Sequence, residues 1–154
     1  MASITMRQMM IQDLVEVQNC NLECLPENYQ LKYYIYHLVS WPECSFIAEN
    51  DEDSALVGYI LGKIEEATYP FSGHITSLAI YPEFRNFGIA RQLMELCIDS
   101  FTRLGVRNVT LHVRKSNAAA LRLYLEKLNF EVSSAEVKYY ADGEDALLLK
   151  KRLY

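Results

Sequence analysis

Apolar positions along this chain recur with two different periods, and the places where the period switches mark its elements. Residues 4–6 predict a first short strand. Leu14, Val17, Asn21 and Cys24 then fall three or four apart and predict a helix over 13–24 with a mostly apolar stripe. Pro26 ends it, because the residue before a proline avoids helical geometry. A second helix is expected over 32–39, stopping at Ser40-Trp41-Pro42. Strands follow at 45–49, 56–64 and 74–80, and Gly58 and Gly62 leave the middle one thin on one face, a place for close packing. Ile89, Leu93, Cys97 and Phe101 recur every four residues and predict a helix over 88–104 capped by Gly105. Val109, Leu111 and Val113 share one face of a strand over 108–113. A fourth helix over 117–128 is expected to bury Ala118, Leu121, Leu125 and Leu128. Strands at 130–139 and 146–153 around Asp142-Gly143 end the pattern. The order β, α, α, β, β, β, α, β, α, β, β predicts a three-layer α/β domain, a mixed seven-stranded sheet with helices on both faces.

Composition narrows what this domain does. A length of 154 residues favours a single domain, 1–154, with a sizeable core. A net charge of −5 argues against direct nucleic-acid binding, so an anionic ligand must be held by local geometry. No stretch reaches the length of a membrane span, and the first ten residues lack the apolar core of a secretory signal. Cys20, Cys24, Cys44 and Cys97 lack zinc-ligand spacing, and His37, His74 and His112 are scattered, so no metal is expected. Free thiols in a reducing compartment are the simplest reading, which places the chain in the cytoplasm.

The candidate chemistry starts at Arg85-Asn86-Phe87-Gly88-Ile89-Ala90, between an apolar strand and a helix. Unpaired amides at a helix N-terminus converge on one spot and, with the helix dipole, favour an anion. Gly88 admits a ligand close to the backbone, and Ala90 obstructs little. Neither the Gly-Lys-Ser/Thr ending of a Walker loop nor the first two glycines of a dinucleotide fingerprint are present.

The pattern R-x-x-G-x-A after an apolar strand, followed by Asn117-x-x-A-x-x-L-Tyr124, resembles the GNAT acetyltransferase family. The segments CNLECLPENYQLKYYIYHLVSWP, GHITSLA, LHVRKSNAAAL and KYYADGEDA are similar to the catalytic subunits of NatA-type N-terminal acetyltransferases, in the same order and over most of the chain. The resemblance implies acetyl-CoA as cofactor. The turn 85–90 would take its pyrophosphate, the backbone of Leu78, Ala79 and Ile80 its pantetheine arm, and Asn117 and Tyr124 would flank its far side. Tyr124 would stabilise the departing thiolate. Leu25, Pro26, Glu27 and Tyr29 would shape the pocket for the peptide N-terminus, and Tyr139 and Tyr140 would cover the peptide. For the base that deprotonates the amine, Glu27 ranks first, then His112, then His74. One departure stands out: these subunits usually carry a second Arg where this chain has Asn86.

The implied reaction is direct acetyl transfer from acetyl-CoA to the α-amino group of protein N-termini. In the family this means Ser, Ala, Thr, Gly, Val and Cys starts within a complex and acidic starts for the subunit alone. The implied partners are nascent polypeptides and a large helical-repeat auxiliary subunit, which brings the enzyme to the ribosome. That subunit would dock on the first two helices, with Tyr33, Tyr34, Tyr36 and Trp41. A GNAT activity on lysine or small amines, and a non-catalytic acyl-CoA-binding subunit, remain as alternatives.

Overall fold

The computed structural model describes residues 3–67 and 69–154. Seven strands form one sheet: β1 (Ile4–Gln8), β2 (Phe46–Asn50), β3 (Leu56–Glu65), β4 (Ser72–Ile80), β5 (Asn108–Arg114), β6 (Glu131–Glu136) and β7 (Ala146–Arg152). Their spatial order is β1-β2-β3-β4-β5-β7-β6. Every neighbouring pair is antiparallel except β4 and β5. β3 runs through the middle with its first seven residues buried, as the unbroken apolar run Leu56–Leu61 requires of a strand covered on both faces.

Helices α1 (Leu14–Cys24) and α2 (Leu31–Ser40) cover one face. Their Leu14, Val17, Cys20, Tyr34 and Leu38 pack with Ile47, Tyr59, Leu61 and Ala79. Helix α3 (Ile89–Arg103) covers the other face, where Ile89, Leu93, Cys97 and Phe101 meet Val57, Ile60 and Ile75. A Cβ at Gly62 would lie 2.6 Å from the Cys44 carbonyl oxygen and 2.9 Å from Cys97 Sγ, and one at Gly73 would lie 2.7 Å from the Phe101 ring. The thin places in the sheet are therefore where α3 presses on it. Gly105, at φ +79°, closes α3 as expected: its amide reaches Thr102 and that of Val106 reaches Phe101, which satisfies the last carbonyls.

Two expectations fail. The fourth helix, α4, begins as a single α-turn (Ala118–Leu121) and widens into a π-helix over Arg122–Lys127. The wider turn takes the apolar face out of the four-residue register. Ala118 is exposed, Leu121 and Leu125 are half-buried, and Tyr124 joins Leu128 in the core. Strand β6 ends at Glu136 rather than continuing through Tyr139. Lys138 turns to φ +54°, and the following loop is held by bonds from the Lys138 amide to Asp145 and from the Tyr140 amide to the Glu144 carbonyl.

Candidate active site

The sheet is split. Strands β4 and β5 pair only over Ser72–Ile75 and Asn108–Leu111; beyond Ile75 and Leu111 each keeps only its other neighbour. A slot opens between the C-terminal ends of two parallel strands, where α/β sheets bind ligands. The Tyr81 amide bonds the Val57 carbonyl on β3. The alternation of an antiparallel ladder then turns the backbone groups of Ala79 toward Tyr59 and those of Leu78 and Ile80 toward the slot. Of the three residues expected to meet the pantetheine arm, Leu78 thus turns both its amide and its carbonyl to the slot and Ile80 its amide, while the Ile80 carbonyl is taken by Arg85 and Cys24. An extra residue between the pairs Leu61–Ser77 and Gly62–Ile75 makes Thr76 a bulge, so Thr76 and Ser77 both face α1 and α2.

One face of the slot suits a polyanion. Helix α3 starts at Gly88 with no side-chain cap and no acid in its first turn, so its orphan amides keep their donor capacity. Gly88 is at φ +80°, and a Cβ placed there would have nothing within 4 Å, so its role is backbone conformation and open approach rather than relief of a protein clash. Arg85 does not reach outward: its Nε donates to the Ile80 carbonyl at 2.9 Å and ties the turn to β4. Asn86 is at φ +69°, a conformation asparagine tolerates better than most residues. The residue that departs from the family pattern therefore fits its backbone. Phe87 is half-exposed, Ile89 is a core anchor, and Ala90 is partly buried. On the same face Asn117 caps α4, its Oδ1 accepting from the Ala120 amide at 3.2 Å. Tyr124 lies in the core cluster that also holds Leu78 and Ile80, and burial pushes its phenol up to about 12. A protonated phenol is what a departing thiolate needs beside it.

The other face gathers the residues expected to meet the peptide. The loop from Leu25 to Tyr29 is pinned from behind by buried Asn21, whose Nδ2 donates to the Glu27 carbonyl (2.9 Å) and to Tyr59 Oη (3.1 Å). Asn28 Nδ2 returns the tie, to Asn21 Oδ1 and the Leu25 carbonyl. Tyr29 Oη reaches toward the Thr76 carbonyl at 3.4 Å, and burial pushes this phenol also up to about 12. Arg114, at the end of β5, joins both loops. Its Nε meets Glu27 Oε1 at 2.8 Å, its Nη1 meets Asp142 (2.8 Å) and Glu144 (2.9 Å), and its guanidinium lies 4.2 Å from the centre of the Tyr140 ring. The carboxylates, Glu144 foremost, raise the guanidinium further above its usual range.

The histidines separate into two kinds. His74 bonds Thr110 Oγ1 at 2.9 Å, and burial, with the neighbouring His112 second, pushes it down to about 4. His37, fully buried between the Tyr33 carbonyl and Thr76 Oγ1, is pushed down to about 4 by burial as well. Neither is a useful base near neutrality. His112 instead touches Glu136 at 3.2 Å and stacks on Tyr139 with centroids 4.4 Å apart. The thiols are not available as nucleophiles: Cys20, Cys44 and Cys97 are buried, and burial raises all three.

The expected residues thus divide across the slot. The 85–90 turn, Asn117 and Tyr124 lie on the α3/α4 side. Glu27, Tyr29, His112, Tyr139 and Tyr140 lie on the other. Arg114, Asn21, Thr76 and Glu136 complete the second group and were not singled out from sequence. Only Asn21 left a signal, as a polar residue inside an apolar stripe.

Residues 14–130 match the acetyltransferase (GNAT) family profile. This chain is a GNAT acetyltransferase. The GNAT domain is 46% identical over 151 residues to an Arabidopsis thaliana protein named N-terminal acetyltransferase A complex catalytic subunit NAA10, covering 97% of this chain and 78% of that one. It is 48% identical over 144 residues to the N-terminal acetyltransferase A complex catalytic subunit ard1 of Schizosaccharomyces pombe, covering 92% and 81%. Among solved structures the GNAT chain superposes on one from the NatC complex bound to Gag peptide and CoA, with TM-score 0.92, 28% identity and 99% of both chains covered. It also superposes on Chaetomium thermophilum Naa20 in complex with a bisubstrate analogue, with TM-score 0.85, 29% identity, and 96% and 86% covered. GNAT acetyltransferases use acetyl-CoA, and the uncapped start of α3 with the slot-facing backbone of β4 fits that ligand.

Proposed function

We propose that this enzyme acetylates the α-amino group of polypeptide N-termini. The observation that carries the reading is the slot itself, which joins an uncapped helix start on one face to a loop-walled, tyrosine-rich cleft on the other. Acetyl-CoA supplies the activated acetyl group; the protein's task is to place it and to deliver a neutral amine. Leu78 orients the acyl end through its slot-facing amide and carbonyl, and Ile80 through its amide. The amides from Gly88 onward hold the pyrophosphate, and the Tyr124 phenol stands where the departing sulfur needs a proton. Leu25, Pro26 and Tyr29 bound the first side chain, while Tyr139 and Tyr140 close over the peptide.

The chemistry of the amine favours an N-terminus over lysine. An α-amine has a pKa of about 7.7–8.0 and lysine about 10.4. At pH ~7.4 neutralising lysine costs roughly 4 kcal/mol and an α-amine less than about 1. Strong basicity is therefore unnecessary here, and positioning supplies most of the rate. The names of the relatives support a NatA-type assignment. On that assignment the substrates are Ser, Ala, Thr, Gly, Val and Cys starts with an auxiliary subunit and acidic starts without it, on nascent chains at the ribosome in the cytoplasm. The docking face for that subunit is an apolar one. Leu31, Ile35 and Val39 are exposed at four-residue spacing on α2, and Val15 and Leu22 are exposed on α1. Tyr34 and Trp41 belong to the core instead, which narrows the aromatic share of this face to Tyr33 and Tyr36.

A peptide panel tests the reading. Free-amine Ser- and Glu-starting peptides should be acetylated, and peptides offering only a lysine side chain should not. Equal rates on α-blocked lysine peptides would assign the enzyme to a different amine class. The Tyr124→Phe variant should keep acetyl-CoA affinity and lose turnover.

A further inference from the structure

On the face that carries His112 and Arg114, helices α1 and α2 pack against Ile47, Tyr59, Leu61 and Ala79 of β2, β3 and β4. The sheet continues past them: β6 is exposed over Glu131–Ala135, and Lys150 and Arg152 are exposed on β7. Alternation places Asn108, Thr110, His112 and Arg114 on one face of β5. The register sets Arg152 opposite Asn108, Lys150 opposite Thr110, and Glu131 opposite Lys150, all on that same face. His112 is the first residue of β5 beyond its last pair with β4, so this platform starts at the slot. At its far end lies a cavity of about 530 Å³ lined by Asn108, Asn129, Glu131, Ser133, Lys150 and Arg152. At the ~3.3 Å rise of a strand residue, the Lys150 row is about 7 Å from His112 along the strand and the Arg152 row about 13 Å. The cations of this face are not alike. Arg114 is already bonded to Glu27, Asp142 and Glu144, and Lys63 to Glu65. Lys150 and Arg152 enter no ion pair among the described residues. The cavity thus sets both of them against one carboxylate, Glu131, on a chain of net charge −5. A local positive excess on an acidic protein selects a negative partner.

We infer that this cavity is an exosite for the acceptor polypeptide, in which Lys150 and Arg152 hold acidic side chains downstream of the amine being acetylated. The inference rests on the N-terminal acetylation reading above. Two observations commit the site to the acceptor chain: the platform runs from the slot to the cavity without a covering helix, and the two cations there have no carboxylate bonded to them. An extended chain spans at most about 3.3–3.6 Å per residue. With about two to four residues spent between the cleft walls, residues at about positions 5–8 of the acceptor are the ones that reach the Lys150 and Arg152 rows. Asn108, Asn129 and Ser133 surround the two cations with uncharged hydrogen-bonding groups. A contact so far from the reacting atoms is the same in the ground state and in the transition state. It therefore lowers KM for the peptide and leaves kcat alone. Because Lys150 and Arg152 are exposed, the attraction is screened by salt.

The test uses Ser-starting peptides of about ten residues that share their first residues and carry Asp, Asn or Lys at about positions 5–8, the stretch selected by reach. At low ionic strength, KM for the Asp peptide should be about fivefold below that for the Asn peptide, as two exposed ion pairs allow, with the same kcat. At about 1 M salt, where the screening length is about 3 Å, the difference should vanish. The double variant Lys150→Gln, Arg152→Gln should lose the Asp advantage. Arg103→Gln, on the helix of the opposite face, should keep it. A second readout needs no turnover. An N-acetylated Asp peptide titrated into nitrogen-15-labelled protein should shift the backbone amides of Asn108, Lys150 and Arg152, and the Asn peptide should leave them in place. Equal KM for the Asp and Asn peptides, or an Asp advantage that survives in the double variant, overturns the inference. A wild type that acetylates no peptide sinks the functional reading, and the titration still decides the exosite, because unmoved amides at Lys150 and Arg152 overturn it.

Discussion

Arg114 binds three carboxylates and an aromatic face with a single guanidinium, a set that lysine, a point charge on a flexible stem, cannot reproduce. Arg114→Lys should leave the fold intact, because the side chain lies at the mouth of the cleft, and should release the two loops from each other. With about 1–2 kcal/mol of charge-assisted bonding lost, KM for the peptide should rise about tenfold while KM for acetyl-CoA stays near its wild-type value. An unchanged peptide KM would mean that this tie between the two loops does not shape the peptide site. This residue was not legible in the sequence, because its partner Glu27 lies 87 positions away and Glu144 lies 30 away. No local pattern reports such a cluster. Asn86 shows the opposite error. Compared with relatives it reads as a missing charge, whereas its positive φ gives asparagine a conformational reason to be there.

At the level of elements, periodicity carried most of the fold. The stripes of α1 and α3, the continuous apolar run of β3 and the alternation of β5 each announce a buried face, and the structure has all of them. It failed where the backbone leaves its ideal period, in the π-turns of α4, the Thr76 bulge and the loop after Glu136. Those departures place Tyr124, Thr76 and Tyr139, so the illegible parts of the chain coincide with the site. The glycines of β3 and β4 can be tested as packing elements. Gly73→Ala pushes a methyl into the Phe101 ring and should destabilise the domain by about 1–3 kcal/mol. Phe101→Leu should recover part of that loss in the double variant, since the obstacle is a side chain. Gly62→Ala should not be rescued in the same way, because it meets the Cys44 carbonyl. Urea denaturation of the single and double variants measures the coupling.

For the whole molecule, His37 and His74 make stability depend on pH. Both are depressed from 6.5 to about 4 in the folded chain. As pH falls below 6.5 the unfolded chain binds protons that the folded chain refuses, so their contribution is intact above 6.5, falls between 6.5 and 4, and levels off below. Each histidine adds a slope of at most about 1.4 kcal/mol per pH unit. Unfolding free energies at pH 7 and pH 5 should show the loss, and His37→Gln should reduce it; identical stabilities at the two pH values would contradict the burial argument.

The split between β4 and β5 has a mechanical consequence. Four residue pairs, Ser72–Asn108 through Ile75–Leu111, carry the backbone seam between the two halves of the sheet. A ligand lying in the slot acts as a clamp across that seam, so this enzyme's resistance to heat should track how much nucleotide thioester its surroundings hold. At CoA near 100 times its dissociation constant, linkage adds about 2.7 kcal/mol. For a domain of this size that raises the unfolding midpoint by about 5–10 °C. A midpoint indifferent to CoA would show that the seam needs no clamp. A midpoint that climbs with CoA would make the acyl donor a part of the scaffold as well as the thing consumed.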